Sequence, residues 1–135
     1  MIKGPVLTSD DLLKAPEIIA VTQVVTPKQA MPVDSKERKN VPLVTGVLDY
    51  FPAALAAVAR LSKFGNDKHN PNEPLHWARN KSADHADCIG RHLVDRGVID
   101  PETGMSHTVE VAWRALAMLQ LEEEERGAPK ARGAQ

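Results

Sequence analysis

Cysteine is almost absent from this sequence: Cys88 is the only one in 135 residues. A single thiol excludes an internal disulfide framework and suits a reducing compartment. Net charge is nearly absent too, at −1 from 17 basic and 18 acidic residues. A module that reads polymeric nucleic acid usually carries a strong positive excess, so no such partner is expected. No apolar run approaches the roughly 18 residues needed to cross a bilayer. The first twenty residues, MIKGPVLTSDDLLKAPEIIA, lack a continuous apolar stretch and carry Asp10 and Asp11, so they do not read as a signal peptide. The expectation is a soluble cytoplasmic protein with no membrane partner. Neither a GxxxxGK(S/T) phosphate loop nor a GxGxxG fingerprint, a GxSxG elbow or a CxxC pair occurs. P-loop, dehydrogenase and serine-hydrolase chemistries are therefore unsupported.

The length allows one domain and one core. Residues 1–40 are interrupted by Pro5, Pro16, Pro27 and Pro32, and read as an extended N-terminal arm. Within the arm, residues 18–25 are β-prone but have no partner strand of similar quality. The stretch DSKERKN, residues 34–40, reads as a solvated linker. Residues 41–126 form the expected helical domain. Phe51, Leu55, Val58 and Leu61 recur at helical spacing, predicting a helix from about Tyr50 to Phe64 with Gly65 as its cap. A second helix is predicted from Ser82, which would cap it, to the region of Gly97, with Ala86, Ile89 and Leu93 as its apolar stripe. The third, about His107 to Glu125, is apolar over an arc wide enough to need burial on more than one side. The predicted fold is thus an all-α small bundle of three main helices, completed by homo-oligomerisation. Residues 127–135 read as a disordered tail.

All five histidines lie between His69 and His107. Imidazole is the side chain best suited to proton transfer and metal ligation near neutral pH. On the third helix His107, Glu110 and Arg114 form one polar stripe. Burying such a stripe without partners costs several kcal/mol per charge, so it should line a cavity or bind something. On the second helix Asp84, Asp87 and Arg91 share one face, and His85, Cys88 and His92 an adjacent one. Asp87 with Arg91 is equally read as an exposed ion pair. His85, Cys88 and His92 on one helix make a poor structural zinc site, and Cys88 reads as a core residue. The connection between the first two helices carries Lys68, Trp77, Arg79 and Lys81, cations for phosphates and an indole for stacking on a base. Trp77 could as well anchor the loop, and Trp113 reads as packing. The acidic run Glu122 to Glu125 reads as solvated.

The strings YFPAALAAVARLSKFGNDKHNP (50–71), HWARNKSADHADCIGRHL (76–93), DPETGMSH (100–107) and AWRALAMLQLE (112–122) resemble a phage domain family labelled dATP/dGTP diphosphohydrolase-like. The resemblance spans roughly residues 36–126. It implies an α-helical, MazG-like nucleotide pyrophosphohydrolase that uses a divalent cation, Mg²⁺ or Mn²⁺, to release pyrophosphate. By position, the family's basic loop falls on Lys68 and Trp77, its Arg-His pair on Arg91 and His92, its acidic turn on Asp100 and its helix-start histidine on His107. Proteins of the MazG type hold magnesium with ExxE and ExxD pairs. Here the nearest equivalents are Asp84-x-x-Asp87 and His107-x-x-Glu110.

The combined expectation is metal-dependent hydrolysis of a purine deoxynucleoside triphosphate. Asp84, Asp87, His107 and Glu110 are the candidate metal ligands, and His92 or Asp100 the orienting group or general base. Lys68, Arg79, Lys81, Arg91 and Arg114 would hold the substrate, with Trp77 against its base. Two rivals are a non-catalytic nucleotide-binding phage protein and a virion structural or assembly component.

Overall fold

The computed structural model describes residues 29–135, with Gly4 and Ser9 as isolated positions, so the β-prone segment 18–25 lies outside the described residues. The stretch expected as a solvated linker contains a short exposed helix instead, α1 (Ser35–Lys39). Its cause is local: the Asp34 carboxylate accepts the backbone N–H groups of Lys36 and Glu37 at 3.0 and 3.1 Å, satisfying two of the donors that a helix start leaves free.

A π-helical turn, Val44–Leu48, leads into α2 (Pro52–His69). Proline at the first helical position costs nothing, because its missing N–H has no partner there. The helix runs a full turn past the expected cap at Gly65. It is held there by Asn66, which is buried, donates to Glu73 O and accepts from the His76 N–H. An amide that ties the next loop to the helix makes continuation cheaper than reversal at the glycine.

Helix α3 (His85–Val94) starts two residues later than expected, because Asp84 occupies the cap position and Ser82 donates its hydroxyl to the Asp84 carboxylate. Helix α4 spans His107–Glu125, with the Ser106 hydroxyl accepting from the Thr108 N–H. His92 meets His107, whereas His85 meets Arg114, so α3 and α4 run antiparallel. Their connection is tightly knit. The Asp100 carboxylate accepts from Glu102 N–H, Asp100 C=O accepts from Gly104 N–H, and Asp100 N–H donates to Met105 O. Gly104, at φ 71°, supplies the left-handed residue on which the reversal depends.

Helix α4 is the common partner of α2 and α3, as its wide apolar arc requires. The interior is unusual in composition. Among the described residues only Cys88 and Ala117 are buried apolar residues, against buried Asn66, Asn70, His85, Asp100 and Glu110. Large apolar side chains such as Leu43, Val44, Phe51, Val94 and Ile99 remain exposed. No single helix among the described residues is long and apolar enough to cross a membrane.

The tail expected to be disordered is instead paired. Gly127, at φ 110°, turns the chain after α4. Trp77 N–H donates to Gly133 O at 2.6 Å, Gln135 N–H to Trp77 O at 2.9 Å, and Arg79 N–H to Gln135 O at 3.1 Å. Composition predicted disorder because the segment has little to bury. Its order comes from backbone groups offered by a distant loop, which composition does not record.

Candidate metal and nucleotide site

The α3–α4 hairpin closes over four side chains. His92 comes from the last turn of α3, Asp100 from the connection, His107 opens α4, and Glu110 lies one turn further on. One ligand atom from each lies within 4.8 Å of all the others. Glu110 Oε2 is 2.9 Å from His92 Nδ1 and 3.2 Å from His107 Nδ1, and the two imidazole nitrogens are 2.9 Å apart. Asp100 stands slightly back, with its Oδ2 at 3.9 Å from His107 Nδ1. An octahedral ion with bonds of about 2.1 Å sets neighbouring ligand atoms about 3 Å apart, so the three nearest atoms have the mutual spacing of ligands around one cation.

Electrostatics reinforce the geometry. Asp100 and Glu110 are each only 8 % exposed, and the buried Glu110 Oε2 has the two imidazole nitrogens as its nearest partners. Burial raises the Glu110 pKa, and the Asp100 carboxyl beside it pushes in the same direction. Burial also lowers the His92 pKa, with the His107 imidazole adding to the effect. Both residues are thus driven toward their uncharged forms, as groups sharing a poorly hydrated space with too little counter-charge are. The residues present fit a divalent cation. Two imidazoles beside two carboxylates suit manganese or another first-row transition metal better than magnesium, which favours all-oxygen shells.

A cavity of about 280 Å³ opens from this cluster, with Lys68 and Glu102 ion-paired on its edge and Arg114 in its wall. Arg114 is half-buried, donates to Ser82 Oγ at 2.7 Å, and lies 5.6 Å over the Trp113 ring. Among the described residues no carboxylate pairs with it.

The structure thus brings together His92, Asp100, His107 and Glu110, with Lys68 and Arg114 alongside. Trp77 and Lys81 line a second, adjoining cavity, where Lys81 is tied to His69 O and Asn70 Oδ1. Asp84, Asp87 and Arg91 are brought to neither cavity. Both aspartates and Arg91 are exposed, Asp84 is bound to Arg91 at 2.9 Å, and that guanidinium holds its carboxyl well below the usual range. A ten-residue helix offers one stripe to its neighbour, and here His85, Cys88 and His92 take it, leaving 84, 87 and 91 outside. The ion pair is therefore Asp84–Arg91, not the Asp87–Arg91 pair weighed from the sequence. Arg79 is also committed, with both terminal nitrogens on the Glu124 carboxylate at 2.6 and 3.1 Å and its guanidinium 5.0 Å over Trp77. Glu124 in turn accepts from Ala131 N–H, so one member of the supposedly solvated acidic run is a structural anchor. His85, which the sequence offers only as part of a poor zinc site, is buried and lines the second cavity. Its signal was membership of the stripe that carries His92.

These features define an all-α domain in which a helical hairpin encloses a mixed histidine and carboxylate cluster next to an unpaired arginine. The family described as dATP/dGTP diphosphohydrolase, N-terminal, matches residues 32–130. The chain belongs to that family. No curated protein and no solved structure matches it.

Proposed function

We propose that the protein hydrolyses a purine deoxynucleoside triphosphate, dGTP or dATP, to the monophosphate and pyrophosphate, using a divalent cation held by His92, His107 and Glu110, with Asp100 as the general base. The convergence of those four side chains carries the reading, because one potential ligand atom from each lies within 4.8 Å of all the others. When bound, such an ion neutralises phosphate oxygens and lowers the pKa of water. His92 Nδ1, His107 Nδ1 and Glu110 Oε2 are the tight donors. Asp100 Oδ2, set back from them, accepts the proton of the water that attacks phosphorus. Arg114 and Lys68 hold phosphate oxygens. Arg114 does so without surrendering a carboxylate partner, whereas Lys68 exchanges Glu102 for substrate. The exposed apolar side chains of the π-helical turn, of α3 and of the start of α2 would be covered in a homo-oligomer.

The test is direct. Purified protein incubated with dGTP and Mn²⁺ should release pyrophosphate and dGMP, and should do so more slowly with Mg²⁺. Triphosphate left intact with both Mg²⁺ and Mn²⁺ would end the proposal. A non-catalytic nucleotide binder is the second reading, favoured by the placement of Asp84 and Asp87 away from the cluster. It predicts co-purified nucleotide recovered unchanged.

A further inference from the structure

The mouth of the cation cavity is spanned by a single ion pair. Helix α2 packs on α4 but not on α3, and the cavity of about 280 Å³ lies between the end of α2 and the connection of the α3–α4 hairpin. Lys68, from the last turn of α2, pairs there with Glu102 of that connection. Among the described residues no other ion pair joins α2 to the hairpin.

Both partners are anchored through their backbones. The carbonyl of His69, the residue after Lys68, accepts from Lys81 Nζ at 2.9 Å, and Asn70 N–H donates to Asn66 O at 2.8 Å, so the end of α2 is held. Glu102 donates its backbone N–H to Asp100 Oδ1 at 2.8 Å, which leaves Asp100 Oδ2 on the side of His107. The two side chains, by contrast, can part easily. They are 45 % and 60 % exposed, and water solvates both charges. A pair of this kind adds little to stability. What it changes is the charge that an arriving ligand meets. The wall carries three carboxylates, Asp100, Glu102 and Glu110, and two permanent cations, Lys68 and Arg114. Glu102 alone of the three is exposed and lies outside the four-residue cluster. It engages Lys68 with two charged oxygens, the same chemistry that a phosphate would offer.

We infer that Glu102 is an autoinhibitory ligand: its carboxylate occupies Lys68 in the place of a phosphate oxygen, and an incoming phosphate has to displace it. The inference rests on the nucleotide reading above and deepens it, by giving the site an internal competitor that weakens its hold on every anion that uses Lys68. Because Glu102 also holds Asp100 through its N–H, the competitor and the proposed base belong to one turn. Displacement of the carboxylate is therefore felt at Asp100, and its return to Lys68 favours release of the anion.

The test is a double-mutant cycle on the full chain. Inorganic pyrophosphate is the probe, with Mg²⁺ in fixed excess, and the amide resonances of Glu102 and Gly104 are followed by NMR. Glu102→Gln keeps the size of the side chain and removes its charge. It should tighten pyrophosphate binding about fivefold, the change that corresponds to one exposed ion pair. Lys68→Met should weaken binding, and in that background Glu102→Gln should have no effect. Equal tightening by Glu102→Gln with and without Lys68 would mean that only a negative charge had been removed, and would overturn the inference. Unchanged or weaker binding by Glu102→Gln would overturn it too. A coupled cycle in a protein that leaves triphosphates intact would sink the hydrolase reading and spare this one. Turnover without coupling would do the reverse.

Discussion

Two arginines of this protein sit in nearly the same local setting and differ in one respect. Arg79 lies over Trp77 and Arg114 over Trp113, at 5.0 and 5.6 Å from the ring centres. Arg79 is gripped by the Glu124 carboxylate through two hydrogen bonds, and its pKa is raised, chiefly by that bond. Arg114 has a hydroxyl and an imidazole for company and, among the described residues, no counter-ion. The first arrangement satisfies the guanidinium internally and ties together the loop, α4 and the C-terminal segment. The second leaves a half-buried positive charge in the wall of two cavities. Residue type and position relative to a tryptophan are alike; the presence or absence of a carboxylate separates scaffold from site.

The largest effect that could break this contrast lies in the cluster next to Arg114. Glu110→Ala removes the oxygen shared by both histidines, and Mn²⁺ affinity measured by calorimetry should fall more than about 100-fold, beyond what loss of an outer-shell partner gives. Pyrophosphate release should fall in step, while helicity by circular dichroism stays near wild type. Next, Arg114→Met should raise the KM for dGTP by about 10- to 100-fold, the range for losing a charge-assisted contact, without lowering the melting temperature appreciably. Arg79→Met should do the opposite, lowering Tm by roughly 5–10 °C while leaving Mn²⁺ binding intact. Matching effects of the two substitutions on both readouts would dissolve the distinction.

Acid sharpens the same comparison. Arg79 holds the Glu124 pKa down to about 2. A carboxyl depressed in the folded state adds stability above its unfolded pKa, and that contribution is lost as pH falls through the folded value. Urea midpoints should therefore decline between pH about 4.5 and about 2 in the wild type. In Arg79→Met this part of the decline should flatten. A mutant as acid-sensitive as wild type would remove Glu124 from the account. The smallest effect belongs to Gly65, which sits inside α2 with open space around its missing Cβ. Gly65→Ala should raise stability by about 0.5–1 kcal/mol, read from chemical denaturation.

Much of the scaffold was legible in the sequence. The wide apolar arc read from about His107 to Glu125 placed α4 with the bounds observed, since propensity and periodicity agreed there. Legibility failed wherever a distant partner decided the outcome. Gly65 looks like a terminator until Asn66 is seen bonded to Glu73 and His76. The tail looks disordered until Trp77 is seen offering it backbone groups. On α3 both polar stripes contained candidate chemistry, and nothing within the helix said which would face α4.

What the sequence alone determined was the inventory: three main helices, a histidine-rich middle, and His107 with Glu110 one turn apart on α4. Local rules of capping, helical period and charge suffice for that, because they act over a few residues. Tertiary structure decided which of the candidate groups came together. The antiparallel docking of α3 on α4 turned His92 inward and Asp84 outward, and the Asp100 turn delivered a fourth donor. Packing also gave Arg79 a carboxylate and, among the described residues, none to Arg114. Such outcomes depend on distances between elements far apart in the chain, where desolvation and counter-charge take their values only once the helices have met.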